Sequence, residues 1–429
     1  LPDLLNQCRT AILAGIRAAT PQRRANILSP CGTWTDLVDQ IDKGCKRLHD
    51  LNAIELNGYQ VSVGMIRMTR IAHTAALAVQ MRSGDLGDRL RLLVCLHAQM
   101  PRLHRAYIET RLKRALTRKG AAPDKGVLSL CHAEDVFSRA DEVGKRKIEI
   151  VVVTTPVIET GNDVDFDWAI LDPISTRSII QSAGRVRRHR AATGDKPNIF
   201  ILGCSPIAMQ QGKLAMPGVE TIPAEQTKVD RIELRNYEGR HFADLAGDAD
   251  FTTITAAPLL SNGVDFPLRD AEAYLRKKMI STDERDPLGR YISRPNTRWN
   301  LTMTKTRKFR RSETREILFC KIGDSLDEAQ WWRDLAPGTR SSQFRSVQDD
   351  LHTDFPVRAC KLFVDMTRRG WLELSGCVSE MNRSDIHDLL WVSIPSYGDG
   401  LVDEMTYSEF TGFTRGKPED LLEDFGKTL

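Results

Sequence analysis

The sequence of 429 residues lacks the features that mark membrane and secreted proteins. No apolar run is long enough to cross a bilayer, and no N-terminal segment has the charged, apolar and small-residue order of a signal peptide. We therefore expect a cytoplasmic protein with no membrane partner. The first residue is Leu1 rather than Met, so we also expect the chain to be a piece of a longer protein.

Closely spaced metal ligands are also lacking. The nine cysteines contain no C-x-x-C pair, which favours isolated thiols in a reducing compartment over a zinc site or a disulfide framework. His49-Asp50 and His387-Asp388 are His-Asp dipeptides, and we interpret both as chance surface pairs. No metal site is therefore predicted in this chain.

The excess of positive over negative charge is small, because the net charge is only +4. Basic residues nevertheless cluster in segments 102–119, 185–190 and 305–315. Such clusters can attract a polyanion without a high global charge. For the first segment a solvated helix face is an equal alternative, and for the third a solvated edge strand is.

Apolar segments of strand length alternate with helical patterns between about residues 50 and 205. Strands are predicted at 61–67, 91–96, 148–153, 168–171 and 199–203, and helices at 71–81 and 101–117. Strands that are apolar throughout and separated by helices are typical of a parallel sheet with helices on both faces. The fold class is therefore predicted to be α/β, with the mostly helical first fifty residues packed on the sheet.

Three domains are predicted from changes in this pattern. Residues 1–215 form the sheet domain, 216–285 a linker with a connecting helix, and 286–429 a smaller α+β accessory domain. Within the last domain the pattern predicts strands at 305–322, 371–374 and 390–394, and helices at 325–335 and 346–365. Trp331 and Trp332 are interpreted as packing residues rather than base-stacking ones.

The most informative segment is 181–188, which has the pattern Q-x-x-G-R-x-x-R. On a helix, Arg185 and Arg188 would share one face with Gln181, and Gly184 would permit close approach of another backbone. A guanidinium is always charged and binds phosphate oxygens in a forked geometry. Such an arginine can neutralise the charge that develops during phosphoryl transfer. Arg187 and Arg190 are expected to point away from that face, towards a polyanion or solvent.

The segment upstream supplies a second set of candidates. Thr154 and Thr155 end a predicted strand, where hydroxyl and N–H groups can hold a nucleic-acid phosphate. Gly161 permits a turn in the following loop, and Asp163 can accept a hydrogen bond from a ribose hydroxyl. His97 and Arg67 are further candidates for DNA contact, with a buried histidine and a salt bridge as the respective alternatives.

The segment 151–189 resembles motifs V and VI of superfamily 2 helicases. Within that superfamily, the pattern V-x-E-x-G-x-D-x-D-F-D at 157–167 resembles the type I CRISPR-associated helicase–nuclease. Leu96-His97-Ala98 and the basic helix after it resemble motif IV of that family. The segment 64–68 and the C-terminal half are most similar to subtype I-F, in which an integration-complex subunit is fused at the N-terminus. The specific part of the resemblance covers about residues 60 to 205.

The resemblance implies a RecA-like second helicase domain in an effector that a target-bound CRISPR surveillance complex recruits to degrade DNA. It implies that Arg188 is the arginine finger and that Arg185 and Gln181 face the ATP phosphates. It further implies that Gly161, Asp163 and Gly184 lie at the ATP site and Thr155 at the DNA backbone. Single-stranded DNA is the implied substrate, and the CRISPR integration complex and anti-CRISPR proteins are further implied partners.

Two motifs of the complete family are lacking in this sequence. Neither G-x-x-x-x-G-K-[ST] nor D-E-x-H is present, and no nuclease metal cluster is recognisable. ATP and Mg²⁺ are therefore expected to be bound mainly by a first RecA-like domain outside this chain, and the chain alone is expected to be inactive. Two other hypotheses remain open: a piece of another superfamily 2 motor, such as a restriction or RNA helicase, and a non-catalytic docking module built on a RecA-like scaffold.

Overall fold

The computed structural model describes most of the first 211 residues and shorter segments after them. The described ranges are 2–20, 22–82, 86–159, 163–173, 175–190, 194–211, 241–260, 264–270, 272–273, 315–321, 330–334, 344–346, 352–354, 362–363, 391–395, 405–408 and 410–415. The helices are α1 (Pro2–Ala18), α2 (Trp34–Asn52), α3 (Ile71–Gln80), α4 (Arg102–Leu116), α5 (Lys125–Ala133), α6 (Val136–Glu142), the 3-10 helix η1 (Pro156–Glu159), α7 (Thr176–Ala183), α8 (Pro206–Gln211), α9 (Phe242–Ala246) and α10 (Ala257–Leu260). The strands are β1 (Ala25–Ile27), β2 (Ile54–Leu56), β3 (Tyr59–Arg67), β4 (Arg89–Leu96), β5 (Lys147–Thr154), β6 (Trp168–Leu171), β7 (Ile199–Ile201), β8 (Arg315–Lys321), β9 (Gln330–Asp334), β10 (Phe344–Ser346), β11 (His352–Asp354), β12 (Trp391–Pro395), β13 (Met405–Ser408) and β14 (Gly412–Arg415).

A sheet of parallel strands forms the centre of the molecule, in the order β1-β7-β6-β3-β5-β4. The short strand β2 pairs antiparallel with the beginning of β3. The five predicted strands are all present, with bounds shifted by at most two residues. Strand β1 was not predicted, because only one of its three residues is buried.

Helices cover both faces of this sheet, as predicted. One apolar cluster joins α2 and α3 to the sheet, and a second joins α4, α5, α6 and α7 to its other face. Trp168 of β6 shows how tight this packing is. Its indole lies against the backbone of Gly64, where a Cβ atom would stand 2.1 Å from the ring, and Nε1 donates to Ser62 Oγ at 3.0 Å. A side chain at position 64 would therefore displace the indole.

The C-terminal strands form a four-stranded sheet, β10-β9-β8-β12, and a three-stranded sheet, β11-β13-β14. The helices predicted at 325–335 and 346–365 are wrong where the chain is described, because Gln330–Asp334 and His352–Asp354 are strands. The aromatic pair Trp331-Trp332 favours a strand, and it pairs antiparallel with β8. The predicted strands at 305–322 and 390–394 are present in part as β8 and β12. Segment 371–374 and most of the proposed linker lie outside the described residues.

The C-terminal segments reach the open edge of the central sheet. Strand β4 is the last strand on that side, and its Leu93 carbonyl accepts a hydrogen bond from Leu362 N at 3.2 Å. Phe413 N donates to Gln99 O at 3.0 Å, just beyond the end of β4. The C-terminal chain thus covers backbone groups that an edge strand would otherwise expose. None of the helices in the described part of the chain is long and apolar enough to cross a bilayer.

Candidate functional site

The predicted site residues gather where the central parallel strands end. Arg67 is the last residue of β3, Thr154 is the last residue of β5, and His97 follows the last residue of β4. In parallel α/β sheets, ligands bind at the carboxyl ends of the strands. The candidate site is therefore this edge of the sheet, together with the segments 155–159, 163–167 and 184–190 beside it.

The arginine motif does not continue the helix, which corrects the prediction that Arg185 and Arg188 share a helical face. Helix α7 ends at Ala183, and Gly184 N closes its last turn on Ile180 O at 2.9 Å. A parallel bridge then joins the next segment to Phe166, which donates to Arg185 O at 2.8 Å and accepts from Arg187 N at 3.0 Å. This pairing with a distant segment removes residues 185–187 from the helix.

Glu159 organises one half of the site. Its Oε1 accepts hydrogen bonds from Arg67 Nε at 2.8 Å, from Ser178 Oγ at 2.6 Å and from Ser182 Oγ at 2.8 Å. Its backbone oxygen accepts from Arg185 Nη2 at 2.6 Å. Burial and then the neighbouring Arg188 lower the pKa of Arg185 from its ordinary value. Glu159 thus fixes α7 and Arg185 relative to the end of β3.

The other half is a ladder of three carboxylates, Asp163, Asp165 and Asp167, hereafter the carboxylate ladder. At its outer end Asp163 contacts Arg188 Nε at 2.8 Å, His189 Nε2 at 2.9 Å and Lys119 Nζ at 2.5 Å. The hydrogen bonds from Lys119 and His189 hold the pKa of Asp163 well below its usual range. The predicted arginine finger and the predicted ribose ligand therefore contact each other.

The inner end of the carboxylate ladder is fully buried. Arg190 donates to both oxygens of Asp165, at 3.1 and 2.8 Å, and to Asp167 Oδ1 at 2.6 Å. Arg118 also pairs with Asp167, and Val63 N donates to its Oδ2 at 2.7 Å. Burial would raise the pKa of Asp167, but Arg118 and Arg190 outweigh it and hold that pKa below the usual range. Arg190, predicted to face a polyanion or solvent, is instead an internal ion-pair partner.

The four candidates for nucleic-acid contact are all buried. Thr154 is fully buried, and its hydroxyl donates to Leu96 O at 2.9 Å, while Thr155 is 6% exposed. Arg67 is 1% exposed and forms a salt bridge with Glu159, which was its alternative interpretation. His97 is the buried histidine of its alternative: Nδ1 accepts from Gln99 N at 3.1 Å, and Nε2 donates to Thr411 O at 2.5 Å. Thr155 is thus the least buried of the four, and the DNA contacts predicted for them stay predictions.

The glycines and Gln181 of the prediction have simpler surroundings. Gln181 is exposed on α7. A Cβ atom on Gly184 would meet Gln181 O at 3.1 Å and Ile180 O at 3.2 Å, so the close approach there is to its own helix end. Gly161 lies outside the described residues. The ligand contacts predicted for these three residues stay predictions.

The His-Asp dipeptide at 49–50 is split between the core and the surface. His49 is buried and its Nδ1 lies 2.8 Å from Ser62 Oγ, while Asp50 pairs with Lys147 at 3.1 Å. His387-Asp388 lies outside the described residues. The interpretation of the first as a surface pair is thus wrong for His49, although its contacts are structural ones.

Three contributors were missed from the sequence: Glu159, Lys119 and Arg23. Glu159 occupies the E of the pattern at 157–167, so its position was visible although its role was not. Lys119 is the last residue of the basic segment 102–119. The sequence favoured neither nucleic-acid contact nor a solvated helix face for that segment. Arg23 Nε donates to Ala183 O at 2.9 Å and to Val186 O at 3.2 Å, a contact across 160 residues that no local pattern signals.

Comparison with known proteins shows which family these motifs are similar to. Residues 60–191 match the family model for the C-terminal part of the CRISPR-associated nuclease/helicase Cas3. A relative from Pectobacterium atrosepticum, the CRISPR-associated nuclease/helicase Cas3 subtype I-F/YPEST, is 29% identical over 63% of this chain and 25% of its own length. The protein of the same description from Pseudomonas aeruginosa is 31% identical over 43% of this chain and 17% of its own length.

The chain thus spans a quarter or less of the curated relatives that it matches. Alignment with the crystal structure of T. fusca Cas3-AMPPNP covers 59% of this chain and 29% of that one, at 17% identity and a TM-score of 0.32, too low to support a structural argument. The family match covers β3 to the arginine motif, which is the part of the chain that forms the candidate site. These sequence matches show that the chain is similar to the C-terminal region of the CRISPR-associated nuclease/helicase Cas3.

Proposed function

We propose that this chain supplies the second RecA-like domain, with motifs IV, V and VI, to an ATP-dependent single-stranded DNA translocase. The whole protein would degrade foreign DNA as the effector of a type I CRISPR system, in the cytoplasm. The observation that carries the proposal is the contact of Arg188 with Asp163 at the carboxyl edge of the sheet. This contact joins the segment that resembles motif V, through Asp163, to the segment that resembles motif VI, through Arg188.

Arg188 would act as the arginine finger. Its side chain is 38% exposed and bound to the protein by one carboxylate, so it can leave that carboxylate for a phosphate. Asp163 would keep Lys119 and His189 as partners after Arg188 moves, so its charge would stay compensated. The cost of moving Arg188 is that of a partly exposed ion pair, on the order of 1 kcal/mol or less.

Arg185 and Gln181 would also face the ATP phosphates, and Gly161 and Gly184 would lie at the same site. Burial and then Arg188 lower the pKa of Arg185, and two neighbouring guanidinium groups fit a polyanionic ligand better than a neutral one. ATP bound here would supply the energy for translocation. Mg²⁺ and most of the nucleotide contacts would come from a first RecA-like domain, and this chain alone would hydrolyse no ATP.

The partners follow from the family in the same way. Single-stranded DNA would pass the end of β5 at Thr155. Thr154 and Arg67 would support that surface from the protein interior. The CRISPR surveillance complex would recruit the effector to its target. The CRISPR integration complex and anti-CRISPR proteins would be further partners of the full-length form.

The test is Arg188→Ala in the full-length enzyme, with DNA-stimulated ATP hydrolysis as the measurement. Removal of an arginine finger should lower turnover by about a hundredfold or more, because developing phosphoryl charge loses its stabilisation. The matched control is Arg177→Ala, which removes an exposed arginine from α7 close to the motif. Unchanged turnover in Arg188→Ala would exclude the motor role and favour a docking module, and stimulation by RNA alone would favour another superfamily 2 motor.

A further inference from the structure

Among the residues that the structure describes, Arg187 is a buried cation with no hydrogen-bonded or ion-paired partner. The residue is 8% exposed, and none of the described residues forms a hydrogen bond or an ion pair with its guanidinium. Burial, and then the nearby Arg190, lower the pKa of Arg187 more than Asp167 raises it. Buried charges in folded proteins are normally paired, because an uncompensated one is costly to desolvate. An anion bound at Arg187 would compensate this charge.

The carboxylates nearest to Arg187 are already committed to other cations. Asp165 accepts two hydrogen bonds from Arg190, and Asp167 accepts from Arg190 and from Arg118. Both acids are fully buried, so neither can turn towards a new partner without losing an existing one. Three guanidinium groups therefore share two carboxylates, and Arg187 is the one left over.

The backbone holds Arg187 in this position at a cost. Its φ is +47°, in the left-handed region that side chains with a Cβ atom rarely adopt. The bridge to Phe166 on either side of Val186 fixes that conformation, through Arg185 O at 2.8 Å and Arg187 N at 3.0 Å. Strained non-glycine residues cluster at functional sites, where the strain positions a group for a ligand.

A small part of Arg187 remains exposed, 8% of the residue. Of its side-chain nitrogens, Nε is buried and without a hydrogen-bond partner. A guanidinium binds two oxygens of one phosphate in a forked arrangement. Arg188 and Lys119, at the outer end of the carboxylate ladder, are 38% and 54% exposed and add positive charge to this part of the protein.

We propose that Arg187 is a binding site for a phosphate oxyanion, separate from the arginines of the Q-x-x-G-R-x-x-R pattern. The phosphate belongs to a nucleotide or to a nucleic-acid backbone, which present the same oxygens to a forked guanidinium. A nucleic-acid backbone would meet it as one of a row of phosphates, whereas a nucleotide would bring a single polyphosphate. The site is a property of this chain and does not depend on the motor function proposed above.

The first test is footprinting of the unmodified chain with phenylglyoxal, an arginine-selective reagent, read residue by residue by mass spectrometry. Pyrophosphate, ATP and a single-stranded oligonucleotide without terminal phosphates are the three probes. We expect modification of Arg187 to slow by about tenfold with at least one probe, and that of exposed Arg177 to stay constant, since one charged hydrogen-bonding group contributes about that factor. Protection by ATP and pyrophosphate alone assigns a nucleotide, and protection by the oligonucleotide assigns nucleic acid.

The second test is Arg187→Met, which keeps the length of the side chain and removes its charge. We expect affinity for the protecting probe to fall by about tenfold, while Arg177→Met leaves it unchanged. Arg187 modified at the same rate with and without all three probes would overturn the proposal, whether or not the variant folds. So would unchanged affinity in a folded Arg187→Met chain. Neither outcome affects the ATPase test of Arg188, so the two proposals fail separately.

Discussion

Buried arginine–carboxylate contacts occur at both ends of the central sheet, but they are built differently. At the amino end, Glu149 of β5 accepts from Arg89 Nη1 at 2.6 Å and from Arg91 Nη2 at 2.8 Å, and Arg91 also pairs with Asp42. Two cations there meet two carboxylates. At the carboxyl end, Asp163 alone serves Lys119, Arg188 and His189, and all four side chains are partly exposed.

The difference separates charges that maintain the fold from charges available to a ligand. Glu149 is 0% exposed and both of its oxygens are occupied, so no external group can compete for its arginines. Asp163 is 34% exposed, and any one of its cations can leave without isolating it. Arginine and carboxylate side chains occur at both ends, and the number of partners and their exposure decide the role.

The largest effect is expected from Glu149→Gln. The amide would leave buried Arg89 without its buried carboxylate and Arg91 with only the partly exposed Asp42, and breaking a buried ion pair on one side costs about 3–5 kcal/mol. Urea denaturation should show this loss in the free energy of unfolding. Asp39→Asn, which removes an exposed i,i+4 partner of Lys43, is the matched control and should cost less than about 0.5 kcal/mol. A loss in Glu149→Gln as small as in this control would show that the amino-end cluster is not structural.

A smaller loss of stability is expected when acidic pH protonates His97. Burial, more than the opposing hydrogen bond to Thr411, lowers the pKa of His97 to about 4, whereas the unfolded chain protonates near pH ~6.5. The unfolded state therefore binds more protons between these values, and stability must fall as the pH falls through that window and stay lost below it. At about pH 4.5 the loss should be about 2–3 kcal/mol relative to neutral pH.

Comparison with the variant His97→Gln isolates this effect, because glutamine cannot titrate. Urea unfolding of both chains across the same pH range cancels the contribution of His49, whose pKa burial also lowers. The wild-type curve should fall more steeply in acid than that of the variant. Parallel curves would mean that the burial of His97 does not resist protonation.

The sequence allowed the central sheet to be predicted because its signals are local. Strands β3, β4 and β5 are eight or nine residues long and mostly apolar, and the helices between them have clear starting points such as Pro101. Strand β1 has three residues and depends on pairing with β7, so no local pattern marks it. The end of α7 was missed for the same reason, since the bridge to Phe166 that ends it comes from a distant segment.

Some members of the candidate site were selected from the sequence, but their pairings were not. Asp163 and Arg188 were both selected from their motifs, but nothing in the spacing showed that they would contact each other. Arg190 was expected at the surface, and its two buried carboxylate partners depend on how the segments fold together. Ion pairing is a property of the assembled structure, because partners 23 to 49 residues apart carry no shared local pattern.

The smallest effect on stability is expected from Asp163→Asn. A partly exposed carboxylate that shares its charge among three cations contributes about 1 kcal/mol or less, and only above about pH 4, since its lowered pKa makes that contribution disappear in acid. Asp195→Asn, which removes the 92%-exposed partner of Arg24, is the matched control for loss of one charge. Urea unfolding at neutral pH should give the two variants similar free energies of unfolding, both well above that of Glu149→Gln.

The same variant should make Arg188 more accessible. With Asp163 neutral, the guanidinium loses its ion pair at 2.8 Å, and its modification by phenylglyoxal should quicken relative to the wild-type chain. Buried Arg190 should be unaffected, because it binds Asp165 and Asp167 instead. If Asp163→Asn instead lowered the free energy of unfolding as much as Glu149→Gln, the outer end of the carboxylate ladder would be part of the structural core, and Arg188 could not be the mobile arginine that a finger must be.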